Sequence, residues 1–261
     1  MEKFEQGCVQ SVKRALDIIE VLSESRQSLG VTQIAKLTGL SKTTVFRLLN
    51  TLMQAGYVQK ESNDSDYKLG VKFLKISSSI LERQDIRDIA KPYLKKLSDL
   101  TKEIVHLAIM DINEVVYIDK VENSEHTMRI FSTVGNRSPM HCTGLGKVFL
   151  SGLSGAEVEE IVAQRGLTQY TNNTITCLDH LKKELEQIRQ KGYAFDQMEH
   201  EIGIWCVAAP VFDRKGKMIA AISVTAPDIY LSPQRKSELA HEVVGATKEI
   251  SRQLGYTKKA S

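Results

Sequence analysis

Basic and hydroxyl side chains recur along one face of residues 42–51, near the start of the chain. The face carries Lys42, Thr43, Thr44, Arg47, Asn50 and Thr51. Cationic and hydroxyl groups spaced in this way bind phosphate oxygens and base edges when a helix enters the major groove of DNA. Around them, residues 25–60 contain five basic residues and no acidic one. The pattern predicts a DNA-contacting surface, with an ordinary helical hairpin and a solvated polar face as the alternative.

Two apolar stripes predict the helices that position this face, because each repeats at i, i+3, i+4 and i+7. The stripes comprise Val31, Ile34, Ala35 and Thr38 in one helix, and Val45, Leu48, Leu49 and Leu52 in the next. Between them, Gly39 can adopt the left-handed conformation that ends a helix. Ser41 is suited to cap the second helix. These signals predict a helix-turn-helix.

A β-hairpin signal follows the second helix. Residues 57–59 and 67–69 flank a turn-rich segment at 63–66, which is typical of two short strands joined by a turn. The hairpin would form a wing, from which two lysines could reach phosphates beside the groove. The predicted DNA-contacting residues are therefore Ser41, Lys42, Thr43, Thr44, Arg47, Lys60 and Lys68.

Charge is unevenly distributed along the 261 residues. The formal net charge is +3, and residues 1–84 carry all of it, with 12 basic and 9 acidic residues. The remainder has 23 of each sign. A modest positive excess beside the predicted DNA surface favours electrostatic steering.

Cysteine usage and hydropathy suggest the cellular setting. Cys8, Cys142, Cys177 and Cys206 form no C-x-x-C pair, so neither a zinc ribbon nor a disulfide framework is indicated. Reduced thiols fit a reducing compartment. The N-terminus lacks the apolar core of a signal peptide, and no apolar run approaches the roughly 18 residues that span a bilayer. We expect a cytoplasmic protein without a membrane partner.

The other segments predict two domains and a connecting helix. Residues 11–23 form an amphipathic helix beside the helix-turn-helix, and residues 71–83 form a short helix that links domains or dimerises. Pro92 should start or kink a helix through 93–101. Strands are predicted at 104–110, 115–121, 128–131, 207–212 and 218–225, and helices at 146–151, 155–164, 178–191 and 232–254. We expect an α+β protein with a DNA-binding domain at 1–70, a linker helix at 71–84 and an antiparallel-sheet domain at 85–261.

Three segments in order resemble the IclR family of bacterial transcription regulators, over nearly the whole chain. They are SKTTVFRLLNTL at 41–52, GNRSPMHCTGLGK at 135–147, and GYAFDQME at 192–199 followed by CVAAPVFD at 206–213. The resemblance implies a winged helix-turn-helix, a GAF-like effector-binding domain, and dimers through the DNA-binding half that often pair into tetramers. It implies a regulator, which we expect to be a repressor, of a catabolic operon with a palindromic operator.

The resemblance is nearest to the members that sense 2-keto-3-deoxygluconate. It rests on TKEIVHL at 101–107, VYIDK at 116–120 and TIT at 174–176. The resemblance also implies an effector site, with Gly144 and Leu145 as backbone donors. Its side chains would be Asp196, Cys206, Ser223 and Thr225.

The chemistry of these residues agrees with a small anionic effector. Residues 143–146 open a predicted helix, whose free N–H groups and dipole favour a carboxylate. Asp196, when ionised, accepts hydrogen bonds from ligand hydroxyls. Ser223 and Thr225 alternate along a strand and therefore point to one face. Ile130, Met140 and Ile204 would form apolar walls.

Several alternatives remain open from the sequence. Asp196 could cap or pair, Cys206 could be a buried small apolar residue, and His141 and Trp205 could be structural. His141, Cys206 and Asp196 could also be the base, nucleophile and orienter of an enzyme, or the ligands of a metal sensor. No G-x-S-x-G, H-E-x-x-H or P-loop motif is present. We therefore expect no enzymatic activity and no cofactor, with another small acid, an aromatic compound or a metal as alternative effectors.

Overall fold

The computed structural model describes residues 9–25, 27–61, 65–81, 85–122 and 132–257. The chain divides into two compact units, Met1–Gln84 and Asp85–Ser261. Among the described residues, no helix is long and apolar enough to cross a membrane.

The first unit is a winged helix-turn-helix. Its elements are α1 (Gln10–Glu24), α2 (Val31–Thr38), α3 (Lys42–Gln54), β1 (Val58–Lys60), β2 (Tyr67–Leu69) and α4 (Lys72–Leu81). β1 and β2 pair antiparallel. The core of the unit consists of Ile18, Leu22, Ile34, Ala35, Val45, Leu49, Leu52, Val58 and Tyr67. The predicted helices and wing are confirmed.

The turn of the helix-turn-helix forms as its residue types predict. Gly39 ends α2 with φ of 71°, in the left-handed region that glycine adopts without a steric penalty. Ser41 caps α3, and its hydroxyl accepts the Thr44 N–H at 3.2 Å. The left-handed conformation of Gly39 and the cap at Ser41 could both be predicted from the local sequence, because neither feature depends on distant contacts.

The second unit is an α+β fold built on an antiparallel sheet. Its elements are α5 (Asp85–Thr101), β3 (Ile104–Asp111), β4 (Glu114–Val121), β5 (Arg137–Ser138), α6 (Gly144–Ser151), α7 (Gly155–Arg165), α8 (Leu178–Lys191), β6 (Ala194–Gln197), β7 (Ile204–Phe212), β8 (Met218–Pro227) and α9 (Pro233–Gln253). A 3-10 turn, Asp228–Tyr230, precedes α9. The strand order is β5-β4-β3-β8-β7-β6.

Two layers of helices cover the sheet. α5 and α9 pack on one face, over a core that includes Leu107, Val207 and Val224. α6 and α8 pack on the opposite face, over Ala108, Ala208 and Ala221. Alanines on this second face allow α6 to lie close to the strands.

Some predicted elements needed correction. Pro92 lies inside α5, which begins at Asp85, so Pro92 does not start the helix, and the expected kink at Pro92 stays a prediction. Proline removes one helical hydrogen bond, but Ala90, Leu94 and Leu97 are buried at helical spacing and hold the helix in place. The predicted strand at 128–131 lies outside the described residues.

The two shortest strands of the second unit were not predicted. β5 has two residues and β6 has four, too few to show an alternating pattern. The helix expected at 71–83 forms as α4, and residues 82–84 lie outside the described part of the chain.

We predict that Gly146→Ala destabilises the second unit by about 1–3 kcal/mol or more. A Cβ atom at Gly146 would lie 2.3 Å from the Met140 carbonyl oxygen, which is backbone and cannot move aside. Gly155→Ala is the matched control, because nothing lies within 4 Å of its added Cβ. Denaturant unfolding measures both, and equal stability of the two variants would contradict the packing argument.

Candidate effector site and nucleic-acid interface

The polar face of α3 is open to solvent. Lys42, Thr43 and Arg47 are exposed, while Val45 and Leu49 on the opposite side are fully buried. The Ser41 and Thr44 hydroxyls lie 2.9 Å apart, so these two residues also stabilise the start of the helix. α3 therefore presents two cationic side chains and one hydroxyl that are not used in the core.

The wing lysines have partners within the first unit. The Lys68 Nζ lies 2.7 Å from Glu61 Oε1, and the Lys60 Nζ lies 5.4 Å from the centre of the Tyr67 ring. Glu61 was not considered from the sequence. An ion pair this exposed is worth about 0–1 kcal/mol, so Lys68 could exchange Glu61 for a phosphate at little cost.

The second unit contains a cavity of about 250 Å³. All six residues expected at the effector site line it: Gly144, Leu145, Asp196, Cys206, Ser223 and Thr225. Ile204 also lines it, as expected for an apolar wall. The remaining lining residues are His106, Tyr117, Ser132, Asn136, Arg137, Ser138, Thr143, His200 and Glu201.

Strand register explains why these side chains meet. Asp196 pairs with Cys206, and Cys206 pairs with Thr225, which places three polar side chains in a row across β6, β7 and β8. His106 on β3 pairs with Ser223 in the neighbouring row. Directly paired residues of antiparallel strands point to the same face, so the register assembles one polar surface.

The start of α6 supplies the other wall of the cavity. Thr143 caps the helix by accepting the Gly146 N–H at 3.1 Å, and its own hydroxyl donates to the Pro139 carbonyl at 2.8 Å. The first N–H groups of a helix have no acceptor within it. Gly144 and Leu145 are buried at this end and border the cavity. An anion is the ligand that such an end favours.

His106 is a lining residue that the sequence analysis overlooked. Its Nε2 lies 2.6 Å from Ser132 Oγ, and its Nδ1 lies 3.4 Å from the hydroxyls of both Ser223 and Thr225. Burial, reinforced by the Lys120 charge, lowers the pKa of His106 to about 3. The ring is therefore neutral, with one donor and one acceptor nitrogen. The signal in the sequence that could have indicated His106 was a lone histidine within an otherwise apolar predicted strand.

Asp196 is almost completely buried at 3% exposure. One oxygen, Oδ1, accepts the Glu199 N–H at 2.8 Å. Burial nevertheless dominates and raises the pKa of Asp196 to about 7. This corrects the expectation that Asp196 acts only as an ionised acceptor, because near neutral pH the protonated form, which can donate, is also populated.

Cys206 is a polar neighbour in the cavity and not a nucleophile. Its Sγ lies 3.2 Å from Thr225 Oγ1. Burial raises the pKa of the Cys206 thiol well above its usual value, so the thiolate needed for attack is suppressed.

His141 does not join Cys206 and Asp196. Its Nε2 lies 2.9 Å from the Thr168 carbonyl oxygen, and it lines a second cavity, of about 300 Å³, together with Met140. The proposed base, nucleophile and orienter are therefore not assembled. Within the described ranges, no three His, Cys, Asp or Glu side chains are grouped to hold a metal ion. Ile130 lies outside the described residues, and Trp205 is buried in the core.

A winged helix-turn-helix and a separate unit with a polar ligand-sized cavity together define a ligand-responsive DNA-binding regulator. The pattern of the IclR helix-turn-helix domain matches residues 11–62, and that of the bacterial transcriptional regulator IclR C-terminal domain matches residues 78–252. The chain belongs to the IclR family, whose members regulate transcription and are not enzymes.

Individual relatives agree with this assignment. The chain is 36% identical over 248 residues to the HTH-type transcriptional regulator KdgR of Dickeya chrysanthemi, covering 95% of this chain and 81% of that protein. It is 35% identical over 251 residues to the transcriptional repressor IclR of Escherichia coli, covering 95% and 91%. The crystal structure of the Thermotoga maritima IclR matches with a TM-score of 0.80 and 34% identity, covering 94% and 99%.

We predict that Asp196→Asn raises the free energy of unfolding, relative to wild type, by more at alkaline pH than at acidic pH. The folded state keeps a proton on Asp196 that the unfolded chain has released, so wild-type stability falls as pH rises from about 3.8 to about 7. The gain of the variant over wild type should therefore be larger, by more than about 1 kcal/mol, at about pH 8 than at about pH 5. Urea unfolding at both pH values measures it, and an equal difference at both would contradict the assignment.

Proposed function

We propose that this protein is a repressor of a catabolic operon, and that a small hydroxylated carboxylic acid such as 2-keto-3-deoxygluconate releases it from DNA. The observation that supports the effector class is the convergence of a helix N-terminus and several hydroxyls on one small cavity. The repressor direction is supported by similarity to a relative that is itself a repressor.

Each part of such an acid has a counterpart in the cavity. The carboxylate binds the N–H groups of Gly144 and Leu145, where the helix dipole is favourable. Ser223, Thr225 and neutral His106 exchange hydrogen bonds with ligand hydroxyls and the keto oxygen. A volume of about 250 Å³ lies below the roughly 300–1,000 Å³ of pockets for drug-sized ligands. A different small acid or a small aromatic acid is the alternative occupant.

On the DNA side, α3 enters the major groove. Arg47 contacts a base edge or phosphate, with Lys42, Thr43 and Thr44 beside it and Ser41 at the helix start. Lys60 and Lys68 on the wing contact phosphates outside the groove. Arg47 is the strongest candidate because guanidinium binds guanine edges and phosphates bidentately.

The first unit also supplies the dimer contact. Val9, Val12 and Leu16 form an exposed apolar stripe along α1, and Val71 and Leu74 are exposed at the start of α4. Such clusters mark protein interfaces. A symmetric dimer presents two α3 helices to a palindromic operator with half-sites about one turn, or a multiple, apart. Two dimers can pair into a tetramer, and effector binding shifts the population of DNA-competent spacing.

The proposed domain organisation keeps the DNA-binding domain at 1–70, the linker helix at 71–84 and the GAF-like effector domain at 85–261. In this arrangement α4 transmits the effector signal. Residues 85–261 then sense the ligand without contacting DNA.

We predict that Arg47→Ala weakens binding to DNA from the region upstream of the gene and reduces the slope of log K against log salt concentration by about 1. Lys95→Ala is the control, because it removes an equal charge from an exposed position on α5. Fluorescence anisotropy across a salt titration measures both. Equal affinities for Arg47→Ala and Lys95→Ala would contradict the proposed interface.

We predict that Thr225→Val lowers the affinity for 2-keto-3-deoxygluconate by roughly fivefold to tenfold, the value of one hydrogen bond. Thr247→Val is the matched control, because Thr247 is equally buried but bonds the Val244 carbonyl in α9, away from the cavity. Isothermal titration calorimetry measures both affinities. The site assignment fails if the two variants lose affinity equally.

A further inference from the structure

A fully buried lysine lies behind the effector cavity. Lys147 is one helical turn beyond Gly144 in α6, and its side chain is 1% exposed. The Lys147 ammonium forms a close ion pair with the Glu199 carboxylate and lies 3.5 Å from Glu184 Oε1 on α8. A buried charge is tolerated only when it is paired, so this pair fixes the position of both elements that carry it.

Glu199 in turn holds Asp196. The Glu199 N–H donates to Asp196 Oδ1 at 2.8 Å, and its Oε1 accepts the Gln197 N–H at 3.4 Å. Between them, Met198 has φ of 60°, a conformation that non-glycine residues rarely adopt. Such strain persists only where the surroundings hold it. The Lys147–Glu199 pair ties this turn to α6.

A third segment is joined to the same pair. The Thr174 hydroxyl donates to the Glu199 carbonyl at 2.6 Å, and the Thr171 hydroxyl donates to the Met198 carbonyl at 2.7 Å. Thr174 lies within the TIT segment at 174–176 that was noted in the sequence. Residues of this segment are not among those that line the cavity. The start of α6 and the end of β6 form two walls of the cavity. Contacts with Glu199 therefore hold both walls.

The carboxyl groups of the cavity wall affect how the cavity receives an anion. Asp196 and Glu201 both line a cavity that is to receive an anion, and carboxylates repel one another. Arg137 also lines it, but its guanidinium pairs with Asp111 and Glu114. Lys147 does not offset this repulsion, because it is itself paired with Glu199 and lies near Glu184. Protonation of Asp196, whose pKa burial raises to about 7, reduces it.

We propose that Lys147 and Glu199 are positioning residues of the effector site: their ion pair holds Asp196 in the cavity wall, and their opposite charges act on its carboxyl, beside which a ligand carboxylate binds. This inference rests on the proposed effector function, because it names the ligand as an anion bound next to a carboxyl. Neither residue borders the cavity, so their effect passes through Asp196 and α6.

The two partners act on Asp196 with opposite sign. Lys147 on α6 lowers the pKa of Asp196, while Glu199 raises it through its charge. The other titratable groups near Asp196 are His200 in the same turn, Cys142 before α6, Cys206 on β7 and Tyr117 on β4. Glu201, His106 and Arg137 line the same cavity. Removing the Lys147 charge should therefore keep Asp196 protonated to higher pH, and removing the Glu199 charge should do the reverse.

The test is a carbon-13 NMR titration of the Asp196 carboxyl in the ligand-free full chain. In Lys147→Met the midpoint should rise by about one pH unit, and in Glu199→Gln it should fall by a similar amount. Glu184→Gln is the control, because it keeps the Lys147–Glu199 pair and should shift the midpoint least. A purely structural pair would move both midpoints in the same direction, since each variant breaks the same contact.

Either a common direction or two unchanged midpoints would overturn the proposal. If Lys147→Met does not fold, Glu199→Gln decides alone: a lowered midpoint supports the proposal and any other result overturns it. Calorimetry with 2-keto-3-deoxygluconate forms a second arm. Affinity for this acid should fall as Asp196 ionises, because carboxylates repel one another. The pH of that fall should therefore be highest in Lys147→Met, lower in wild type and lowest in Glu199→Gln. If the wild type does not bind this acid, the proposed effector fails while the ligand-free titration still decides the inference.

Discussion

The second unit depends on one constraint: polar groups buried on a sheet face must find hydrogen-bond partners. His106, Ser223 and Thr225 lie on the central strands β3 and β8, almost without solvent exposure. Leaving such a group unsatisfied costs about 1–3 kcal/mol. The hydroxyls of Ser223 and Thr225 each lie 3.4 Å from His106 Nδ1, a long hydrogen-bond distance, and all three residues face a cavity. The proposed polar ligand would complete their hydrogen bonding. The groups proposed to bind the effector are thus the ones that packing alone would not select.

The remaining architecture brings a helix end to this surface. The face under α5 and α9 is apolar and provides the larger core. On the other face, small residues allow close approach: a Cβ on Gly144 would lie 3.4 Å from the Ala208 side chain. Because Gly144 and Ala208 are both small, the N-terminus of α6 reaches the strands. The same helix carries Lys147 into the interior, where it pairs with Glu199.

Local signals predicted the first unit almost completely. Helical spacing, Gly39 and Ser41 each act within a few residues, and the described α2, turn and α3 follow them. The six residues expected at the effector site were named by family resemblance, and the structure brings all six to one cavity. His106 was overlooked because its role depends on its pairing with Ser223, which is 117 residues away. The Lys147–Glu199 pair spans 52 residues and was equally inaccessible.

The protonation of Asp196 could not be predicted for a related reason. Its type suggests an ionised acceptor, but its charge state follows from burial and from neighbours on other elements. Pro92 shows the same limitation in the fold, since tertiary packing of α5 overrides the local signal.

A crystal structure of the protein with 2-keto-3-deoxygluconate tests the central claim most directly. The account predicts the ligand carboxylate within hydrogen-bond distance of the Gly144 and Leu145 N–H groups, with its hydroxyls on Ser223 and Thr225. A ligand bound elsewhere, with only water between α6 and β8, would contradict it.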